Sequence, residues 1–235
     1  MSTKPLFAIG HRGASAYAPE NTVAAFDEAI RMGAQAVEFD VRMSKDGEIM
    51  VLHDPTVDRT TNGEGNVNDI EKQDLLALDA GSWMDHRFAG ARIPTLWEAL
   101  LAIGPHASPV IELKEAIPAE LLIKTLRKYD LEQDAMVLSF DETWLHPLRR
   151  YSRDISLGLL SENWRRELPE RAKNLAAEVI CMNVDILGTN EVAACDAQGL
   201  EVWCYTANDV GMVAACAAMG VTGIITDRPD LIRSR

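Results

Sequence analysis

"AVEFDVRMSKDGEIMVLHD", residues 36–54, contains two β-rich runs, AVEFDV and IMVLHD, separated by the polar turn Ser44-Lys45-Asp46-Gly47. That turn is too short for a crossover helix, so the two runs form a hairpin or one long bent strand. How they are counted decides the fold. Seven further runs lie outside this stretch: LFAIGH before it, then PVIELK, AMVLSF, ISLGLL, EVICMNV, EVWCYTA and VTGIITD. With the pair taken as one strand, the chain has eight β-α units. Regular β-α alternation implies parallel strands with helices outside, and right-handed crossovers leave an open doubly wound sheet or a closed barrel. The count favours an α/β TIM (β/α)8 barrel. No G-x-G-x-x-G follows the first run, which removes the main sequence argument for a dinucleotide fold.

The first helix is expected to begin near Asn21 as its cap, to set Val23, Phe26 and Ile30 on one face, and to stop at Gly33. Others read at AELLIKTLRKYD, ETWLHPLRRYS, RRELPERAKNLAA, NEVAACDAQG and DVGMVAACAAMG. One segment breaks the rhythm. Between Asp54 and Pro94 the chain has turn signals at Asn62-Gly63 and Gly65, and a short helix is expected near Asn68 with Glu71 in a capping-box position. Residues 55–94 are too long for an ordinary barrel loop and read as a small subdomain inserted in a single catalytic domain spanning 1–235. A second capping box, Thr95 to Glu98, restarts the regular pattern.

At 235 residues and 47% hydrophobic content the chain can bury one full core. Its net charge of -13 disfavours nucleic acid and acidic membranes as partners, so an anionic substrate needs a local positive site. The opening MSTKPLFAIGH lacks an apolar core of signal-peptide length, and no later run reaches the roughly 20 apolar residues of a membrane helix. A cytoplasmic protein is expected. Cys181, Cys195, Cys204 and Cys216 have no C-x-x-C spacing and lie in apolar segments, as reduced core thiols do. The helical stretch GMVAACAAMG suits barrel packing, with a homodimer contact as its other use.

A barrel collects its working residues at the C-terminal ends of its strands. Glu38 and Asp40 are two apart on one strand, on one face, about 7 Å apart along the chain. Their neighbours Val37, Phe39 and Val41 are apolar and would pack outward under helices. Glu112 ends VIEL, with Lys114 two residues on. Three carboxylates from two strands suit one divalent cation, Mg2+ or Ca2+, while the lack of clustered Cys and His argues against zinc. Without a cation, three acids inside a barrel would be costly. His11 closes the first run and His53 closes IMVLHD. Imidazoles titrate near neutrality and can exchange protons with an attacking and a leaving oxygen, and Arg12 can hold two phosphate oxygens in a fork. His86, His106 and His146 lie in loop or surface-helix contexts and read as structural.

With these residues in view, the sequence resembles the glycerophosphodiester phosphodiesterase family, small soluble bacterial type. The resemblance rests on GHRGASAYAPENTVAAF, VEFDVRMSKDGEIMVLHDPTVDRTTNGEG, IPTLWEAL, VIELK and GIITDRPD, in that order, over nearly the whole chain. It implies a TIM barrel with an inserted subdomain and hydrolysis of a glycerophosphodiester to sn-glycerol 3-phosphate and an alcohol. By position it implies that His11 and His53 are the catalytic pair, that Glu38, Asp40 and Glu112 are metal ligands, and that Arg12 and Lys114 bind phosphate. The family often shows W-T-V-N near the seventh strand, where this chain reads Tyr205-Thr206-Ala207-Asn208 with Trp203 two residues earlier. Trp203 and Tyr205 are both candidates for an aromatic wall against the substrate. Two rival readings stand beside this one: a lysophospholipase D or related phospholipase on the same scaffold, which needs an exposed apolar rim, and a binding module without catalysis.

Overall fold

The computed structural model describes residues 6–104 and 106–232; residues 1–5, read above as part of a leader-free start, lie outside it. Every β-rich run of the sequence forms a strand: β1 (Phe7–Gly10), β2 (Ala36–Met43), β3 (Ile49–Val51), β4 (Ser108–Leu113), β5 (Met136–Ser139), β6 (Ser156–Ser161), β7 (Val179–Asn183), β8 (Glu201–Tyr205) and β9 (Gly223–Thr226). Eight of them are parallel, in the order β1-β9-β8-β7-β6-β5-β4-β2, and the β1–β2 pairing closes the barrel. The ninth, β3, pairs antiparallel with the end of β2, Val41 opposite Val51, so residues 36–54 form a hairpin standing on the barrel rim.

The helices between the strands are α1 (Val23–Arg31), α2 (Lys72–Ala77), α3 (Leu96–Ile103), α4 (Ala119–Lys128), α5 (Glu142–Tyr151), α6 (Leu168–Asn174), α7 (Thr189–Asp196) and α8 (Val210–Met219). After β9 the described residues hold one 3-10 turn, Pro229–Leu231. Side chains alternate as the strand period requires. Val37, Phe39 and Val41 join the core between barrel and helices. Ile9, Ala36, Val110, Leu138, Cys181 and Ile225 fill the barrel's interior. In α8, Val213 and Cys216 turn inward, while Val210 and Met212 are exposed. All four cysteines are free and buried.

Two local readings are corrected. The cap of α1 is Thr22, whose hydroxyl accepts from the Ala25 amide, and its buried face is Ala25, Phe26 and Ala29. Asn21 has left-handed backbone (φ 58°) and is turned inward to Asp40. Glu71 makes no capping box: it precedes α2 without a side-chain cap, its carboxylate 3.9 Å from Lys45 Nζ. The box at Thr95 and Glu98 is complete in both directions.

Segment 55–94 carries α2, 3-10 turns at Val67–Asp69 and His86–Phe88, and a small core of Val57, Val67, Leu75, Ala80 and Ile93 packed on Met50 and Leu52 of the hairpin. It rests on the rim beside β3, next to the end of β1. There Arg12 (φ 52°) and Gly13 (φ 85°) reverse the chain, and a Cβ at Gly13 would lie 2.5 Å from the Ala25 carbonyl carbon, so only glycine fits.

Candidate active site

Parallel register sets the carboxylates side by side. Asp40 of β2 pairs with Glu112 of β4, and Glu38 lies one interior position lower on β2. One ligand oxygen from each of the three lies within 4.8 Å of the others, and all three side chains are buried. Lys114, two residues beyond Glu112, ion-pairs with both Glu112 and Asp40, the latter at 3.1 Å. Arg12 reaches in from the end of β1: its amide donates to Glu38 Oε2 at 2.9 Å and its Nε lies 3.2 Å from Asp40 Oδ2.

These charges act unequally on the acids. Burial, then Asp40 and Glu112, push Glu38 well above the usual carboxylate range. Burial and Asp40 push Glu112 up to about 7, against the pull of Lys114. Asp40 is held low: burial opposes its ionisation, but Lys114, Arg12, His53 and a hydrogen bond from Asn21 outweigh it. Glu38 Oε1 is buried and accepts no hydrogen bond, and buried Asp40 Oδ1 has the Lys114 ammonium at 3.1 Å in an ion pair without hydrogen-bond alignment. Hard oxygen donors, converging and incompletely satisfied, fit one divalent cation.

The histidines are built alike. β1 and β9 run in register to Gly10 and Thr226, so the next residues, His11 and Asp227, meet across the barrel seam, Nδ1 to Oδ1 at 2.6 Å. Ser15 Oγ at 2.9 Å and Asn208 Nδ2 at 2.5 Å also donate to Asp227. His53 Nδ1 lies 2.6 Å from Oδ1 of its neighbour Asp54, and Arg42 Nε donates to the His53 carbonyl at 2.9 Å. With Nδ1 held by a carboxylate, Nε2 is the nitrogen each ring can offer to a reacting atom. Burial lowers the His53 pKa below its ordinary value.

Trp203 is not brought to this mouth. It is buried, stacked at 6.2 Å on Phe7, the first residue of β1, and it covers Gly223, where a Cβ would strike the indole. Two residues along the strand decide the matter: Tyr205, higher on the same face, is half-buried, with its hydroxyl donating to the Ser161 carbonyl and its ring edge-on to Phe140 at 6.0 Å. Phe140 in turn lines a cavity of about 420 Å³ that opens from Glu112 and Lys114 toward Trp144 and Arg171. His86 and His146 are exposed on the surface, as is His106.

The sequence matches the profile of the Glycerophosphoryl diester phosphodiesterase family over residues 11–231. The chain belongs to that family. Among curated members, a glycerophosphodiester phosphodiesterase of Caldanaerobacter subterraneus is 36% identical over 95% of each chain. A putative glycerophosphodiester phosphodiesterase of Bacillus subtilis is 37% identical over 97% of this chain and 96% of its own. Among solved structures, an Oleispira antarctica phosphodiesterase in complex with the product sn-glycerol-3-phosphate superimposes with a TM-score of 0.92 at 28% identity, over 97% of this chain and 95% of that one. The glycerophosphodiester phosphodiesterase of Agrobacterium tumefaciens gives 0.85 at 33% identity, over 97% and 98%. As a member of this phosphodiesterase family the chain is an enzyme, a phosphoric diester hydrolase. No helix among its described residues is long and apolar enough to cross a membrane.

The raised Glu112 carboxyl gives a signed expectation for cation-free protein. Folding favours its protonated form, so its contribution is fully present below the ordinary value of 4.5 and is lost as pH rises through about 7. In the presence of a chelator, Glu112→Gln should melt above wild type at pH 8, with the gap closing toward pH 5. A gap that is constant with pH, or reversed, contradicts this reading of the trio.

Proposed function

We propose that the enzyme hydrolyses glycerophosphodiesters to sn-glycerol 3-phosphate and an alcohol, with one divalent cation, Mg2+ or Ca2+, held by Glu38, Asp40 and Glu112. The observation that carries this reading is the convergence, at one barrel mouth, of three buried acids, two cationic side chains and two carboxylate-backed imidazoles. When bound, such a cation polarises the phosphate oxygens and offsets the charge that develops on them. Arg12 and Lys114 turn from the acids toward the phosphate, where their charge neutralises the remaining oxygens. Tyr205 forms the aromatic wall beside the glycerol or alcohol moiety, and segment 55–94 serves as an inserted subdomain over the mouth.

His11 and His53 exchange acid and base roles through their Nε2 atoms. A glycerophosphodiester carries a hydroxyl next to the esterified oxygen, and holding it against phosphorus gives intramolecular attack a large effective concentration. One histidine takes that proton while the other gives one to the departing alcohol, and a cyclic glycerol phosphate is then opened by water. Direct attack by water is the competing route. For the long-chain, phospholipase-like reading, segment 55–94 offers little apolar rim: Trp83 is its one exposed large apolar side chain among the described residues, and its indole N–H is bonded to the Ala80 carbonyl. The four buried free thiols are in keeping with a reducing compartment and a cytoplasmic location.

A panel of glycerophosphodiesters, with lysophosphatidylcholine beside it, tests the activity. Glycerol 3-phosphate should be released from the small diesters, release should stop with a chelator and return with Mg2+ or Ca2+, and His11→Ala and His53→Ala should each slow turnover by roughly a hundredfold. Full activity of chelated protein, or turnover of the lysolipid alone, contradicts the proposal. The cyclic route is tested separately with a diester whose vicinal hydroxyl is replaced by hydrogen or a methyl ether. That analogue should bind without turning over; turnover at the parent's rate would replace the cyclic route by direct attack of water.

A further inference from the structure

Arg59, on segment 55–94, uses both edges of its guanidinium on residues that stand behind the site. Its Nε and Nη2 donate to Asp54 at 2.6 and 3.2 Å, while its Nη1 and Nη2 donate to Glu20 at 2.7 and 2.9 Å. Asp54 is the carboxylate that holds His53 Nδ1 at 2.6 Å, and Glu20 is the one that accepts from Arg12 Nη1 at 2.8 Å. A single planar group thereby joins the imidazole that moves a proton and the guanidinium that faces the phosphate, through one carboxylate on each side.

We propose that Arg59 is a positioning residue, a two-sided clamp on Asp54 and Glu20 that holds His53 and Arg12 in register with one another. The proposal rests on the roles given to His53 and Arg12 above. Geometry makes the clamp specific to arginine, since only a planar fork can donate two parallel bonds to each of two carboxylates, and a lysine ammonium cannot. Released from Arg59, Asp54 is free to leave the imidazole, and Glu20 keeps Arg12 as its one cationic partner among the bonds described, drawing that guanidinium back from the phosphate. The hydrogen bonds from Arg59, ahead of that with His53, also hold the Asp54 carboxyl below the usual carboxylate range. The Arg59 side chain is 46% exposed while its partners Glu20 and Asp54 are 13% and 26% exposed, so the clamp is read in kinetics, with thermal stability followed separately.

Two arms imply two separable effects, and steady-state kinetics of the cation-loaded enzyme on a glycerophosphodiester should divide them. Asp54→Asn is expected to lower kcat about tenfold or more with KM within twofold. Glu20→Gln should raise KM severalfold with kcat within threefold. Arg59→Met should show both changes, and the Arg59→Met, Asp54→Asn double variant should have the kcat of Asp54→Asn alone. The Nδ1–H proton of His53, followed by NMR, should resonate far downfield in wild type and Glu20→Gln and lose that position in Asp54→Asn and Arg59→Met. Arg59→Lys keeps the charge without the fork; it should show the same division, less severely, and carries the test if Arg59→Met fails to fold. Kinetic constants of Arg59→Met or Arg59→Lys within twofold of wild type, or effects that multiply with those of Asp54→Asn, overturn the clamp. A wild-type enzyme inactive on every diester would instead overturn the proposed function, and the His53 resonance would still report on Arg59.

Discussion

Mutual repulsion among Glu38, Asp40 and Glu112 is the constraint around which the barrel mouth is arranged. Three carboxylates buried within reach of one ion are unstable as a trio of anions, and burial raises two of them toward neutrality. The chain answers with charge: Arg12 comes from the end of β1, Lys114 from the end of β4, and Asn21 donates from the turn before α1. That need explains two backbone departures. Arg12 and Asn21 both take left-handed conformations, which bring one amide to Glu38 and one side chain to Asp40. The strain at each, of order 1–3 kcal/mol, persists because the acids over-determine the position.

The same mouth holds its imidazoles with dedicated carboxylates, each tied in turn. Asp227 is fixed by Ser15 and Asn208, and Asp54 by Arg59, the first system at the closing seam of the barrel and the second at the end of the hairpin. A barrel suits this arrangement because rigid strand ends set the spacing, while the loops after β1, β8 and β9 orient His11 and the hairpin with segment 55–94 orients His53.

The strands, the barrel and the E-x-D pair were legible because period-two alternation marks both the burial face and the strand end. Alternation also identified the outward-facing Val37, Phe39 and Val41. It could not give height along the barrel axis, and so Trp203 and Tyr205 looked equivalent. One lies over Gly223 in the packed interior and the other reaches the mouth. Asn21 carried the signature of a helix cap, yet Thr22 beside it satisfied the helix and left Asn21 for Asp40. Asp227, Asn208, Glu20 and Arg59 were ordinary loop polar residues in the sequence. Asp227 meets His11 across the closure of the barrel, 216 residues away, and Arg59 meets Glu20 from 39 residues away, and no local pattern encodes such pairings.

Central to this account is that the acid trio forms a single cation site and that Arg12 and Lys114 hold it together until an ion arrives. Calorimetric titration of chelator-stripped protein with Mg2+ and with Ca2+ tests it most directly. One ion should bind per chain, with protons released near neutral pH as Glu112 ionises, and Asp40→Asn or Glu112→Gln should weaken that binding by at least tenfold. No saturable binding of either ion, or binding unaffected by both substitutions, would contradict it.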